Sequence, residues 1–188
     1  MRVIAGRFRS RKLAAPRGLK VRPTSDRLRE TLFNVLAAGK RPALEGSVWL
    51  DLYAGTGAVG LEALSRGADR VYFVEAARAA ADCIRANLRA LGVIEGFEVL
   101  EHEVLPALRQ LDTQAVTCDY VFLDPPYRDA GAYEQVLGFL SKSRLLRPPS
   151  IVIAEHDRRF DPGDTFGALH RFRQLEQGDA VLSFYKLS

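Results

Sequence analysis

The chain has 188 residues, 47% of them apolar, and a formal net charge of +4, which suits a single compact enzyme domain with its own core. No apolar run is long enough to cross a bilayer, and the basic N-terminus lacks the apolar stretch of a secretory signal, so a cytoplasmic protein without a membrane anchor is expected. Cys83 and Cys118 have no short metal-ligand spacing and cannot form a disulfide framework, and His102, His156 and His170 are scattered, so reduced thiols and no metal site are expected.

The charge is uneven along the chain. Residues 1–42 carry twelve Lys or Arg against two acids, whereas residues 43–188 carry fifteen against twenty-one. Arg2, Arg7, Arg9, Arg11, Lys12, Arg17, Lys20 and Arg22 are interleaved with Phe8 and Leu13 around Pro16-Arg17-Gly18. This pattern fits a short hairpin with a basic face and strand-like ends at Val3-Ile4-Ala5 and Lys20-Val21-Arg22. Such a face suits phosphate contacts, with Arg7, Arg9, Arg11, Lys12 and Arg22 as the candidates. The competing reading is a flexible basic tail. A helix follows, capped by Thr24 or Ser25, with Leu28, Leu32, Val35 and Leu36 on one face. Lys40-Arg41-Pro42 reads as a loop into the catalytic core, so residues 1–42 form an N-terminal extension and residues 43–188 the main unit.

Val48-Trp49-Leu50 opens the main unit as a strand. Asp51-Leu52-Tyr53-Ala54-Gly55-Thr56-Gly57-Ala58-Val59-Gly60 then reads as strand end, glycine turn and helix start. Gly55 and Gly57 permit positive φ and close approach of a ligand to the main chain at a helix N-terminus. Glu75 closes the next strand, Arg70-Val71-Tyr72-Phe73-Val74, twenty residues after Gly55, where an acid can hold a ribose diol. The glycine pattern by itself fits a nicotinamide enzyme as well as other adenosine binders. Asp51 shifts the balance, because a carboxylate there disfavours a diphosphate and suits a ligand bearing an ammonium group, such as S-adenosylmethionine.

A helix over residues 76–91 follows, with Ile84, Leu88 and Leu91 on one face. Phe97-Glu98-Val99-Leu100 is the third strand, residues 105–111 a short helix, and Tyr120-Val121-Phe122-Leu123 a buried fourth strand. It runs into Asp124-Pro125-Pro126-Tyr127. Two prolines stiffen this loop and remove two N–H donors, leaving outward carbonyls and the Asp124 carboxylate as acceptors beside an aromatic ring. A planar amino group on a nucleobase fits such a loop, donating two N–H bonds and stacking on Tyr127. Further helix signals cover residues 133–140 and a fifth strand Ile151-Val152-Ile153-Ala154. Residues 168–175 and 180–187 form a terminal hairpin. The alternation predicts an α/β fold with a seven-stranded, mostly parallel sheet and helices on both faces.

These motifs resemble the class I S-adenosylmethionine-dependent methyltransferases, whose fold is Rossmann-like, and within them the amino-group branch with its Asp or Asn, Pro, Pro, then Tyr or Phe signature. The segment Met1-Arg2-Val3-Ile4-Ala5-Gly6, the run Arg22-Pro23-Thr24-Ser25-Asp26-Arg27-Leu28-Arg29-Glu30-Thr31-Leu32-Phe33-Asn34, the glycine loop and Asp124-Pro125-Pro126-Tyr127 occur in the order found in the bacterial RsmD family. The resemblance spans essentially the whole chain, strongly up to Tyr127 and weakly beyond. It implies methyl transfer to the exocyclic N2 of a guanine in 16S ribosomal RNA, within a small-subunit assembly particle, by a monomeric enzyme. It assigns Asp124, Pro125 and Tyr127 to catalysis and Asp51, Tyr53, Gly55, Gly57, Glu75 and Glu103 to the cofactor. In that family the segment after Arg22 approaches the cofactor and target base, so Arg27 and Glu30 line the site, or else form a surface ion pair.

Two positions depart from the family pattern. Ala77 stands where another acid or amide is usual, leaving Glu75 to hold the diol alone. His102-Glu103 replaces a common Gly-Asp pair, so Glu103 either meets the adenine amino group or is an exposed helix-start carboxylate. Three rivals share part of the pattern: a DNA adenine or cytosine amino methyltransferase, which needs a target-recognition region not seen here; a protein glutamine methyltransferase, which leaves the basic segment without a purpose; and a nicotinamide oxidoreductase, which Asp51 and the Pro-Pro loop disfavour.

Overall fold

Apolar residues on both faces of β1 (Val48–Leu52), β2 (Arg70–Val74), β4 (Tyr120–Leu123) and β5 (Ile151–Asp157) make them interior strands of a sheet covered on both sides. The computed structural model describes residues 1–15, 25–38, 43–126 and 130–188. With β3 (Phe97–Leu100), the first five strands are all parallel; β6 (Thr165–Phe166), β7 (Leu169–Gln177) and β8 (Ala180–Leu187) are antiparallel additions. The order is β3-β2-β1-β4-β5-β8-β7-β6, a doubly wound arrangement whose switch point lies at β1. The expected count of seven strands is corrected to eight among the described residues. The additional strand, β6, has only two residues and pairs at the rim with β7, too short to leave a periodic signal.

Among the described residues, five helices cover the two faces. On one face α1 (Asp26–Ala37), α2 (Ala58–Ser65) and α3 (Arg78–Leu91) share a core with Trp49, Val71, Phe73, Tyr120 and Ile153. On the other, α4 (Val104–Thr113) and α5 (Ala130–Leu140) pack on Leu50, Leu52, Val121 and Val152. Ser25 caps α1, its hydroxyl accepting from the Leu28 N–H at 3.1 Å. Trp49 lies between Phe33 of α1 and Tyr120 of β4, with ring centroids 5.2 and 4.6 Å away, which seats α1 over the middle of the sheet. Val35 is half-buried, and Phe33 takes the core position beside Leu32 and Leu36.

Among the described residues, the N-terminal segment forms a hairpin over residues 1–13. Val3 pairs with Arg11, its N–H donating to the Arg11 carbonyl at 3.0 Å and its carbonyl accepting from Ser10 at 2.9 Å, and an antiparallel bridge joins Arg2 to Lys12. The turn therefore falls within residues 5–10; the expected turn at Pro16-Arg17-Gly18 and the strand-like end at Lys20-Val21-Arg22 lie outside the described residues. The hairpin is docked on α2. Glu62, completely buried, accepts the Ile4 N–H at 2.7 Å and the Ala5 N–H at 3.0 Å, and Ser65 Oγ accepts the Phe8 N–H at 3.0 Å. Gly6 has φ +79°, and a Cβ there would sit 1.9 Å from the Ser65 carbonyl oxygen, so the close approach needs glycine. Over residues 1–15 a docked hairpin replaces the flexible-tail reading.

Candidate active site

β1, β2 and β4 run parallel, so the segments that follow them emerge along one edge of the sheet. Because β1 lies between β2 and β4, the turn after β1 sits between Glu75 on one side and Asp124 on the other. Carboxyl ends at a switch point are where open α/β sheets take ligands.

The turn is wound left-handed. Tyr53 has φ 57°, Gly55 56° and Gly57 75°. For Tyr53, a non-glycine residue, that conformation costs about 1 kcal/mol or more, a strain of the kind stored at functional sites. The main chain pins the turn: the Ala54 N–H donates to the Val74 carbonyl at 3.0 Å and the Gly57 N–H to the Ala54 carbonyl at 2.7 Å. Glu75 holds it from the side, Oε2 accepting the Gly55 N–H and Oε1 the Ala77 N–H, both at 2.8 Å. The twenty-residue spacing read in the sequence is thus a direct hydrogen bond. Each carboxylate oxygen keeps acceptor capacity beyond that one bond, as a diol requires. Gly57 caps α2 without a side chain, leaving the helix start approachable by main-chain contact.

Asp51 lies beneath the turn, 2% exposed, with Oδ2 accepting the Gly60 N–H at 2.9 Å. It ties the end of β1 to the first turn of α2. Burial pushes its carboxyl up to about 7; the Gly60 N–H pulls the other way, and the Glu75 charge adds to the rise. On the opposite side of the turn, Asp124 is half-buried, Pro125 buried and Pro126 exposed. Tyr127 lies outside the described residues. Glu103 is exposed at the N-cap of α4, after β3, and its side chain makes no capping bond.

Of the basic candidates, Arg7, Arg9, Arg11 and Lys12 are exposed on the docked hairpin, and Arg27 is exposed on α1 together with Glu30. Arg22 lies outside the described residues. Arg7 stacks its guanidinium 4.5 Å from the Phe8 ring centroid, and Arg11 donates to the Ala90 carbonyl at the end of α3 at 2.7 Å. Arg11 is therefore partly structural.

Four residues escaped the sequence reading. Arg29 is completely buried; its guanidinium donates to the Arg2 carbonyl, bonds Asp26 Oδ1 at 2.9 Å, and has Nε 3.8 Å from Glu62 Oε2. Glu62 also accepts from Arg66 Nε at 2.8 Å. With Ser65 and Asn87 these residues join the hairpin and α1 to α2 and α3. The signals were present: Arg29 continues the Phe33 and Leu36 stripe one turn back, and Glu62 interrupts a helix that is buried at every position. A separate cleft of about 800 Å³ opens at the amino ends of β1 and β2, away from the glycine turn. Arg7, Arg66 and Arg70 face Glu45, Asp69 and Glu95 there, a mixture that favours neither sign of ligand.

Residues 1–186 match the family model described as conserved hypothetical protein 95. The ribosomal RNA small subunit methyltransferase D of Haemophilus influenzae is 38% identical over 159 residues, covering 84% of this chain and 79% of that one. This chain belongs to the RsmD family. A solved structure of a hypothetical protein of Thermus thermophilus superposes with a TM-score of 0.81 at 27% identity, covering 100% of this chain and 99% of the other. An RNA methyltransferase from Salinibacter ruber, solved with S-adenosyl-L-homocysteine, gives a TM-score of 0.65 at 17% identity over 88% of this chain and 93% of that one. The fold is that of the class I methyltransferases, with eight strands. Among the described residues no helix is long and apolar enough to cross a membrane.

Proposed function

We propose that this protein transfers a methyl group from S-adenosylmethionine to the exocyclic N2 of a guanine in 16S ribosomal RNA, acting as a cytoplasmic monomer on a small-subunit assembly particle. The observation that carries the reading is the adjacency of two loops on neighbouring strands, the Tyr53–Gly57 turn braced by Glu75 and the Asp124-Pro125-Pro126 loop. The family's ribosomal relatives support the choice of RNA.

The cofactor residues fit an adenosine ligand bearing an ammonium group. Gly55 and Gly57 let it rest against the main chain, and Glu75 accepts from the ribose diol. Asp51 fixes the turn from below through its bond to the Gly60 N–H, and an ammonium bound above the turn would favour its ionised form. When bound, S-adenosylmethionine supplies a methyl group already activated on a sulfonium. The chain's own residues then orient the nucleophile. The Asp124 carboxylate and the Pro125 carbonyl accept the two N–H bonds of the exocyclic amine, which lets its nitrogen lone pair turn out of the ring plane toward the methyl. Tyr127 stacks on the unstacked base, worth roughly 1–3 kcal/mol. After transfer the nitrogen is cationic, and Asp124 or water takes up its proton. Most of the acceleration comes from alignment. Arg7, Arg9, Lys12, Arg22 and Arg27 contact phosphates, and residues 1–42 act as the RNA-facing extension of the catalytic unit.

Asp124→Ala is the test. Single-turnover methylation should fall by about 10²-fold or more, with S-adenosylhomocysteine affinity little changed, and mass mapping of ribosomal RNA from cells carrying only this variant should show loss of one N2-methylguanine. Normal turnover, or loss of a different methylated nucleoside, refutes the assignment.

A further inference from the structure

Asn87 of α3 is 2% exposed and directs its amide to main-chain groups of two distant segments, with Nδ2 also 3.8 Å from Cys83 Sγ. Oδ1 accepts the Ala14 N–H at 2.8 Å, while Nδ2 donates to the Ala14 carbonyl at 3.2 Å and to the Thr56 carbonyl at 3.1 Å. Ala14 lies two residues after Lys12 on the returning arm of the hairpin, and Thr56 stands between Gly55 and Gly57 in the braced turn. One helical turn before Asn87, the Cys83 thiol donates to the same Ala14 carbonyl at 3.3 Å. The other end of the hairpin reaches the same place, where Thr56 Oγ1 donates to Met1 Sδ at 3.6 Å. The basic hairpin and the cofactor turn are thus both seated on one side chain.

We propose that Asn87 is a positioning residue that couples RNA engagement by the basic hairpin to cofactor binding by the glycine turn. This rests on the function proposed above. Only a primary amide meets the demand, with an acceptor for one N–H and two donors for two carbonyls. A carboxylate keeps the acceptor and faces both carbonyls with charge; an alkyl group takes this partner from the Ala14 N–H and the buried bond from the Thr56 carbonyl, and leaves the Ala14 carbonyl with the Cys83 thiol. A ligand that orders the turn fixes the Thr56 carbonyl and so the Asn87 amide, which fixes Ala14. RNA held on the hairpin orders the same amide from the other side. Two ligands that order one shared element bind more tightly together than apart, and the effect is reciprocal.

The experiment measures the dissociation constant of radiolabelled S-adenosylhomocysteine by equilibrium dialysis, with and without saturating small ribosomal subunits from a strain lacking the enzyme. In the wild-type protein the subunits should tighten binding about 5- to 10-fold. In Asn87→Ala and Asn87→Asp the ratio should drop to near one, while affinity without subunits changes less. A merely structural role lowers thermal stability and both affinities together and leaves the ratio intact. No tightening in the wild type, a ratio retained in both variants, or failure of both to fold overturns the coupling role. Absence of any S-adenosylhomocysteine or subunit binding by the wild type instead defeats the proposed function.

Discussion

Asp51→Asn should remove a pH-dependent cost to folding that the wild-type chain carries at neutral pH. The carboxyl is 2% exposed, and burial moves it from 3.8 to about 7 against the pull of the Gly60 N–H and with a further push from Glu75. Its folded-state value lies above the unfolded one. The folded protein therefore holds a proton that the unfolded chain has released between those two values, and the stability this group contributes is complete below pH 3.8 and lost as pH rises through about 7. The whole displacement amounts to roughly 4 kcal/mol, of which about 3 kcal/mol falls between pH 5 and pH 8. Asparagine has no such titration, and its Oδ1 still accepts from the Gly60 N–H. Urea unfolding of both proteins at pH 5, 6, 7 and 8 isolates the effect, because the other titrating groups cancel in the difference. The variant should gain on the wild type at each step toward pH 8. A difference that stays constant with pH refutes the buried, proton-holding carboxyl.

Removing the anchor of the hairpin should be felt by the whole fold: Glu62→Ala takes away the buried one of the two carboxylates beside Arg29, leaving Asp26, and strips the Ile4 and Ala5 N–H groups of their acceptor, so denaturant unfolding should show a loss of about 3–5 kcal/mol. A loss under about 1 kcal/mol would mean that the hairpin contributes little. Replacing Arg7, Arg9 and Lys12 together by Ala, while keeping Arg11 for its bond to Ala90, should leave the melting temperature and S-adenosylhomocysteine affinity in place. The same triple variant should flatten the salt dependence of RNA binding by about 0.7–0.9 log units for each phosphate no longer neutralised; an unchanged slope would place RNA on another surface.

The doubly wound core was legible because its signals are local and redundant. Tyr120–Leu123 falls where the apolar run predicted it, since a strand buried on both faces needs unbroken apolar sequence, and Phe97–Leu100, an edge strand half-buried over its first three residues, keeps strand-type residues around Glu98. The placing of Glu75 beside the glycine turn was legible as a spacing because βαβ geometry converts about twenty residues into adjacency at neighbouring strand ends, whereas its bond to the Gly55 N–H was not. β6 was not legible. A two-residue strand has no period, and its pairing depends on where β7 already lies.

The anchoring of the N-terminus was illegible for a different reason. The chain turns within residues 5–10, where the sequence offers only Gly6 as a breaker; the stronger local turn signal, Pro16-Arg17-Gly18, lies outside the described residues. What holds the turn at residues 5–10 is a set of acceptors some sixty residues away: Glu62 takes the Ile4 and Ala5 N–H groups and Ser65 takes that of Phe8. Hydrogen bonds to a buried carboxylate are worth about 1.5–3 kcal/mol each, more than the preference of any turn residue, and they form only once α2 has folded against β1. The hairpin's shape is therefore a property of the catalytic unit rather than of its own sequence. The backbone that carries its exposed arginines and lysine is consequently docked on α2 rather than free, which is what the proposed RNA-facing role requires.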